Sequence, residues 1–222
     1  MVILLIVLVA LFAPLIADAV GHKPNEADQL GGLTPEGLPL GPTWSHPFGT
    51  DYLGRDVFIR VMYAARISLV AGVVASTVAV VLGVLVGLLA GYAGGIVDTV
   101  LARTMDVILS FPFLLFGIAL VSLSGPSLAV VIGVIAFFSW AAVGRIVRGQ
   151  TISLKEREYI EAARSLGANP FRIMFVEIFP NLIAPVLVYL TLLITTLAFN
   201  LLGDSVRDAL DPRGEHLFRE QR

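Results

Sequence analysis

Cysteine is absent from the 222 residues, which excludes disulfides, thiolate metal sites and a cysteine nucleophile. Charge is scarce as well: Asp, Glu, Lys and Arg make up 14% of the chain against 57% apolar residues, and the mean hydropathy is +0.88. That balance lies outside ordinary soluble domains and within polytopic membrane proteins. No glycine-rich phosphate loop with its lysine is present, so this chain is not expected to hydrolyse ATP. Histidine is missing between His46 and His216. Ser139 therefore has no base nearby in sequence, and no G-x-S-x-G turn surrounds it, so an intramembrane hydrolase has no assembled machinery. The formal net charge of −2 says little, because the placement of charge matters more than its sum in a membrane protein.

What is abundant is uncharged sequence of membrane length. Residues 1–17 carry no charge and, at about 1.5 Å per residue, are marginal for a bilayer core. A short span, a truncated span and a signal-peptide core all fit. The lack of a leading basic residue favours a first transmembrane helix whose cytoplasmic flank is missing from this chain. Residues 18–65 are polar and broken by Pro and Gly, and are expected as an external loop. Within it His46, Asp51 and Asp56 hint at a metal site but lack a ligand spacing, and a structural loop with capping Asp residues is the preferred reading.

Between Arg66 and Asp98 lie 31 uncharged residues, with a span expected over 68–90 and residues 91–97 at the interface. Gly83, Gly87 and Gly91 recur every fourth residue, a stripe on which another helix backbone can come close. Asp98, Arg103 and Asp106 form a short hydrophilic break in which mutual neutralisation is expected. Residues 107–144 are uncharged and split at Ser122–Ser127 into spans over 107–121 and 128–144. A last span is expected over 182–202, with Pro185 tolerated in its first turn. The fold expected is all-α, a polytopic membrane helical bundle of about five transmembrane helices. Its core is 66–204 and its polar tail 205–222.

The long charge-rich segment 145–180 stands between two of these spans. Helix formers over 153–166, Gly167 at a C-cap position and Asn169-Pro170 in a turn predict helix, turn, helix. Tyr159, Ala163 and Leu166 share one face by their spacing and are expected to dock. Glu161-Ala162-Ala163, Gly167, Ile178 and Pro180 together resemble the EAA loop of binding-protein-dependent ABC transporter permeases. Glu177 departs from that pattern, standing where many members carry an apolar residue. An interfacial amphipathic helix with no partner is the alternative for this segment. The stretch from His46 to Val57, with Gly91-Tyr92-Ala93-Gly94-Gly95 and the charges after it, is similar to the dipeptide, oligopeptide and nickel group of the same family.

The resemblance implies a permease subunit of an ABC importer for peptides or a related small solute, possibly nickel in that group. Its EAA loop would be cytoplasmic and would couple to ATPase subunits through Glu161, Ala162, Ala163, Gly167, Ile178 and Pro180. Further partners implied are a second permease subunit, an extracytoplasmic substrate-binding protein and the lipid bilayer of a prokaryotic inner membrane. No nucleic-acid partner, cofactor, resident metal or catalytic residue is expected. Six basic residues in the EAA segment place it inside, yet five spans then leave the tail outside, where Arg207, Arg213, Arg219 and Arg222 argue for inside. An internal deletion relative to the family, joined near 193–196, would explain the parity. A truncated, non-transporting permease remnant is the alternative this raises, and an intramembrane enzyme is an alternative of another class.

Overall fold

A computed structural model describes residues 2–28 and 31–210. The helices are α1 (Val2–Val20), α2 (Val57–Ala93), α3 (Gly95–Ser110), α4 (Phe113–Ser124), α5 (Leu128–Leu154), α6 (Glu158–Ser165), α7 (Pro170–Arg172) and α8 (Phe179–Leu210), with a π-helical turn, Ile173–Ile178, between the last two. Among the described residues the only extended pairing is two isolated bridges, Leu33 with Pro39 and Thr50 with Asp56, so the expected all-α class is borne out. The tail from residue 211 on, with Arg213, Arg219 and Arg222, lies outside the described residues. The described chain forms two compact units, one drawn from residues up to Val70 and after Ile194, the other Ala71–Ile194.

In the first unit the loop after α1 is held by hydrogen bonds more than by a core. Thr50 Oγ1 donates to the Gly32 carbonyl at 2.6 Å and accepts from the Leu40 amide at 2.8 Å. Asp51 accepts from the Leu53 and Arg55 amides and pairs with Arg55 and Arg60. Burial works to raise the Asp51 pKa, but these Arg55 and Leu53 hydrogen bonds outweigh it and hold the carboxyl below its ordinary value. The loop hands over to α2 earlier than expected, at Val57. Asp56 fixes that start, since its Oδ1 accepts the Ile59 amide at 3.1 Å.

In the second unit α2 and α5 meet along the glycine stripe. A Cβ added at Gly87 would stand 2.5 Å from the Gly144 carbonyl oxygen, and one at Gly83 or Gly91 would stand 2.6 Å from the Cβ of Val143 or Thr151. Only hydrogen fits at such distances, so the expected helix-packing role of the stripe is what the structure contains. Gly144 answers from the other side, where Met105 of α3 lies too close for a Cβ.

Among the described residues three helical segments are long and apolar enough to cross a membrane, 57–93, 128–154 and 170–192. A fourth crossing arises if α3 and α4, bent by 76° at their junction, count as one span. The expected single span over 107–121 is thus replaced by a broken pair. Pro112 is the cause: it lacks an amide proton and holds Phe111 extended, at φ −74° and ψ 136°. The turn at Gly125 is as expected, with φ +81° there and the Ser127 hydroxyl capping α5 through the Ala129 amide at 3.2 Å. The helical backbone of α8 continues through residues 193–196, the place of the expected join.

Gly87→Ala should destabilise the protein by about 1–3 kcal/mol through overpacking. Gly149→Ala on α5, where nothing lies within 4 Å, should be neutral or stabilise by up to about 1 kcal/mol. Thermal unfolding in detergent separates the two.

Candidate coupling surface

The polar segment is built by a chain reversal after α5. That helix runs on to Leu154, ten residues past the expected end of the span, and carries Arg145 and Arg148 with it. Both arginines reach α3. Arg148 grips Asp98 with two nitrogens, Nη2 donating to Oδ2 at 2.7 Å and Nε to Oδ1. Arg145 pairs with Asp106, which Arg103 also approaches at 3.5 Å. Neutralisation within the 98–106 stretch therefore holds for Arg103 and Asp106, whereas Asp98 takes its partner from α5. A two-pronged guanidinium contact fixes orientation as well as charge.

Beyond Leu154 the chain turns through Lys155, whose Nζ donates to the Gly91 carbonyl at 2.9 Å and so satisfies an acceptor in the last turn of α2. The single helix expected over 153–166 is consequently two pieces, the end of α5 and the eight-residue α6, with Arg157 extended between them. Burial explains the break, because it lets Ile160 enter the core. Ile160 is completely buried with Val84, Leu88, Val143, Val147, Ile173, Met174, Ile178 and Leu182.

The docking face of α6 is accordingly not the expected one. Ile160 points inward, and one turn on Arg164 lies over the Tyr92 ring with its guanidinium carbon 5.6 Å from the centroid. Tyr159 is exposed and Leu166 is 89% exposed. Three-and-four spacing allowed either face, and the signal that would have chosen Ile160 is its β-branched apolar side chain among charged neighbours.

The helix ends as expected. Gly167 has φ +81°, its amide donates to the Arg164 carbonyl at 2.9 Å, and the Ala168 amide donates to the Ala163 carbonyl at 3.0 Å. Asn169 then caps the next helix, its Oδ1 accepting the Arg172 amide at 2.7 Å, with Pro170 at the first helical position. Three residues later the helix widens into the π turn Ile173–Ile178, an irregularity that sequence reasoning missed. The Glu177 carbonyl there accepts from the Asn181 side chain at 2.8 Å.

The six expected coupling residues divide by burial. Glu161, Ala162, Gly167 and Pro180 are exposed, Ala163 is intermediate and Ile178 is fully buried. Beside them Leu166, Phe171, Phe175 and Val176 are exposed apolar side chains, with the Phe171 and Phe175 rings stacked 6.3 Å apart. The result is a short helix braced from below by one isoleucine, with an acidic and small-residue edge and an aromatic shoulder turned outward. Such a surface suits docking into a partner.

A family model described as "Binding-protein-dependent transport system inner membrane component" matches residues 83–201. A dipeptide transport system permease protein of Alkalihalophilus pseudofirmus is 33% identical over 258 aligned positions, covering 93% of this chain and 82% of that protein. A glutathione transport system permease protein of Shigella flexneri is 36% identical over 262 positions, covering 95% and 84%. Its counterpart in Pectobacterium atrosepticum is 33% identical over 224 positions, covering 78% and 74%. The first two alignments are longer than the 222 residues of this chain, so those relatives hold residues within the matched region that have no counterpart here.

Ile160→Ala should destabilise the protein by about 2–5 kcal/mol, the cost of an emptied core site. It should also quicken proteolytic cleavage at Arg157 and Arg164, read by limited trypsin digestion. Unaltered cleavage would mean that Ile160 is not what holds α6.

Proposed function

This chain belongs to the family of binding-protein-dependent transport system inner membrane components, and on that premise we propose that α6 and the turn after it form its docking element for an ATPase subunit. The chain is a multi-pass membrane permease of a kind that works with ATPase and binding-protein partners. The observation that carries the docking reading is the division of α6 into a buried Ile160 and an exposed Glu161-Ala162 edge. A partner that grips this edge pulls on a helix packed directly against α2, α5 and the start of α8 through the Ile160 cluster. Motion imposed on the exposed face is thereby passed to the spans.

Roles follow from chemistry. Glu161 offers an ionised acceptor to donors on the partner. Ala162 and Ala163 allow close approach, and Gly167 makes the turn that separates α6 from α7. Ile178, fully buried, belongs to the floor on which α6 rests, and Pro180 stays exposed just after the π turn. The basic residues of 145–172 assign this element to the cytoplasmic side. A second permease subunit would complete the pathway. The apolar side chains of α4 exposed at Leu114, Leu115, Ile118 and Leu123 suit such a neighbour or lipid. A small peptide-like solute is the proposed cargo, since the relatives are named for dipeptide and glutathione transport. The residues of the relatives that lack a counterpart here support an internally shortened pathway.

Gly167→Val forces a β-branched side chain into left-handed backbone, about 1–2 kcal/mol against the turn, although no atom stands in its way. With the ATPase and second permease co-expressed, this variant and Glu161→Lys should lose most transport-linked ATPase activity, while Gly167→Asn should keep it. Full activity in Gly167→Val would sink the coupling role.

A further inference from the structure

The segment between α1 and α2 holds a constellation that coupling does not use. His22 Nδ1 and His46 Nδ1 each lie 2.9 Å from the same oxygen, Asp56 Oδ2. Their rings stack, with centroids 4.6 Å apart and planes inclined by 14°. His46 and Asp56 are buried, and His22 is half-buried. The other carboxylate oxygen is already engaged in capping α2 through the Ile59 amide, which fixes the direction in which Oδ2 points. Three donor atoms from three separate points of the chain thus lie within 4.8 Å of one another. We propose that His22, His46 and Asp56 form a binding site for one divalent transition-metal ion of the Zn²⁺ class.

The donor set selects the ion. Two imidazole nitrogens and one carboxylate oxygen suit Zn²⁺ and its neighbours, whereas Ca²⁺ and Mg²⁺ call for oxygen ligands throughout. Among the described residues Asp56 has no lysine or arginine partner, and its ion-pair contacts are the two histidines alone. A buried carboxylate partnered only by imidazoles gains from a cation more than one already paired to a guanidinium would. Without metal, both imidazoles donate Nδ1–H to one acceptor oxygen. With metal, the two nitrogens bind through their lone pairs.

Geometry requires only a small adjustment. Tetrahedral zinc spaces its donors about 3.4 Å apart, so each N···O separation opens by about 0.5 Å and the two nitrogens, which lie within 4.8 Å of each other, settle at the same spacing. His22 can supply that movement, being half-buried and following Gly21 at the end of α1, where φ is +79°. A polar cavity of about 230 Å³, lined in part by His22, Lys23, Glu26 and Asp28, adjoins the three donors and has room for a water as fourth ligand. The ion would clip the end of α1 to the first turn of α2 across 34 positions of chain. The sequence pattern set His46 beside Asp51 and Asp56, whereas the structure pairs Asp51 with Arg55 and Arg60 and brings in His22 instead.

The test uses the full chain in detergent, without a polyhistidine tag, stripped by chelator and titrated with Zn²⁺ by calorimetry and with Co²⁺ by visible absorption. One Zn²⁺ per chain and the absorption bands of tetrahedral Co²⁺ are expected. His22→Gln keeps the buried His46–Asp56 bond and should weaken Zn²⁺ binding by about tenfold or more, while the metal-free unfolding temperature falls only by the share owed to the lost His22 hydrogen bond and ring stacking. No stoichiometric site, or equal Zn²⁺ affinity in His22→Gln and the unaltered chain, overturns the proposal.

Discussion

Backbone contact between α2 and α5 is the constraint on which the second unit depends. Where Gly83, Gly87 and Gly91 face Val143, Gly144, Val147 and Thr151, the helices approach until no side chain fits between them. In a bilayer the apolar surroundings give helices little reason to associate, so dispersion at such close range supplies the attraction. The same contact fixes the ledge on which α6 rests, because Val84, Leu88, Val143 and Val147 on the two helices form one side of the Ile160 pocket. Packing within the spans and the placement of the coupling surface are therefore parts of a single core.

Electrostatics orders what packing leaves free. α3 touches α5 through Met105 and Gly144 and is set in rotation about it by Asp98 with Arg148 and Asp106 with Arg145. Charges near hydrocarbon are costly unless matched, and these two pairs match carboxylates of one helix to guanidinia one turn apart on the other. Lys155 ties the following turn to the Gly91 carbonyl. Arg145, Arg148 and Lys155 are thus engaged with elements of the same unit, whereas Arg157 and Glu161 face outward.

Legibility followed the kind of physics involved. The glycine stripe, the caps at Gly167 and Asn169, and the turn at Gly125 were readable because each depends on a residue type with one local consequence. The all-α class and most spans were readable from runs of uncharged residues. The buried face of α6 was less plain, since Tyr159 and Ile160 are adjacent and three-and-four spacing allows either face, with only the β-branched apolar side chain of Ile160 to favour it. The partner of Asp98, fifty positions away on α5, was not readable, nor was the convergence of His22 on Asp56. Pro112 could have been read as a break, but a long apolar run concealed it.

The π turn at Ile173–Ile178 has a mechanical consequence. Each extra residue accommodated in a widened turn advances the helix surface by about 100° relative to an unbroken α-helix. The azimuth of α7, and with it the side on which Phe171 and Phe175 emerge, is thus offset from the face that Leu182 buries at the start of α8. Ile173, Met174 and Ile178 of the turn are buried in the Ile160 cluster, so the core itself holds this offset in place. The wide turn therefore sets the angular phase, rather than the distance, at which the outward face stands relative to the span.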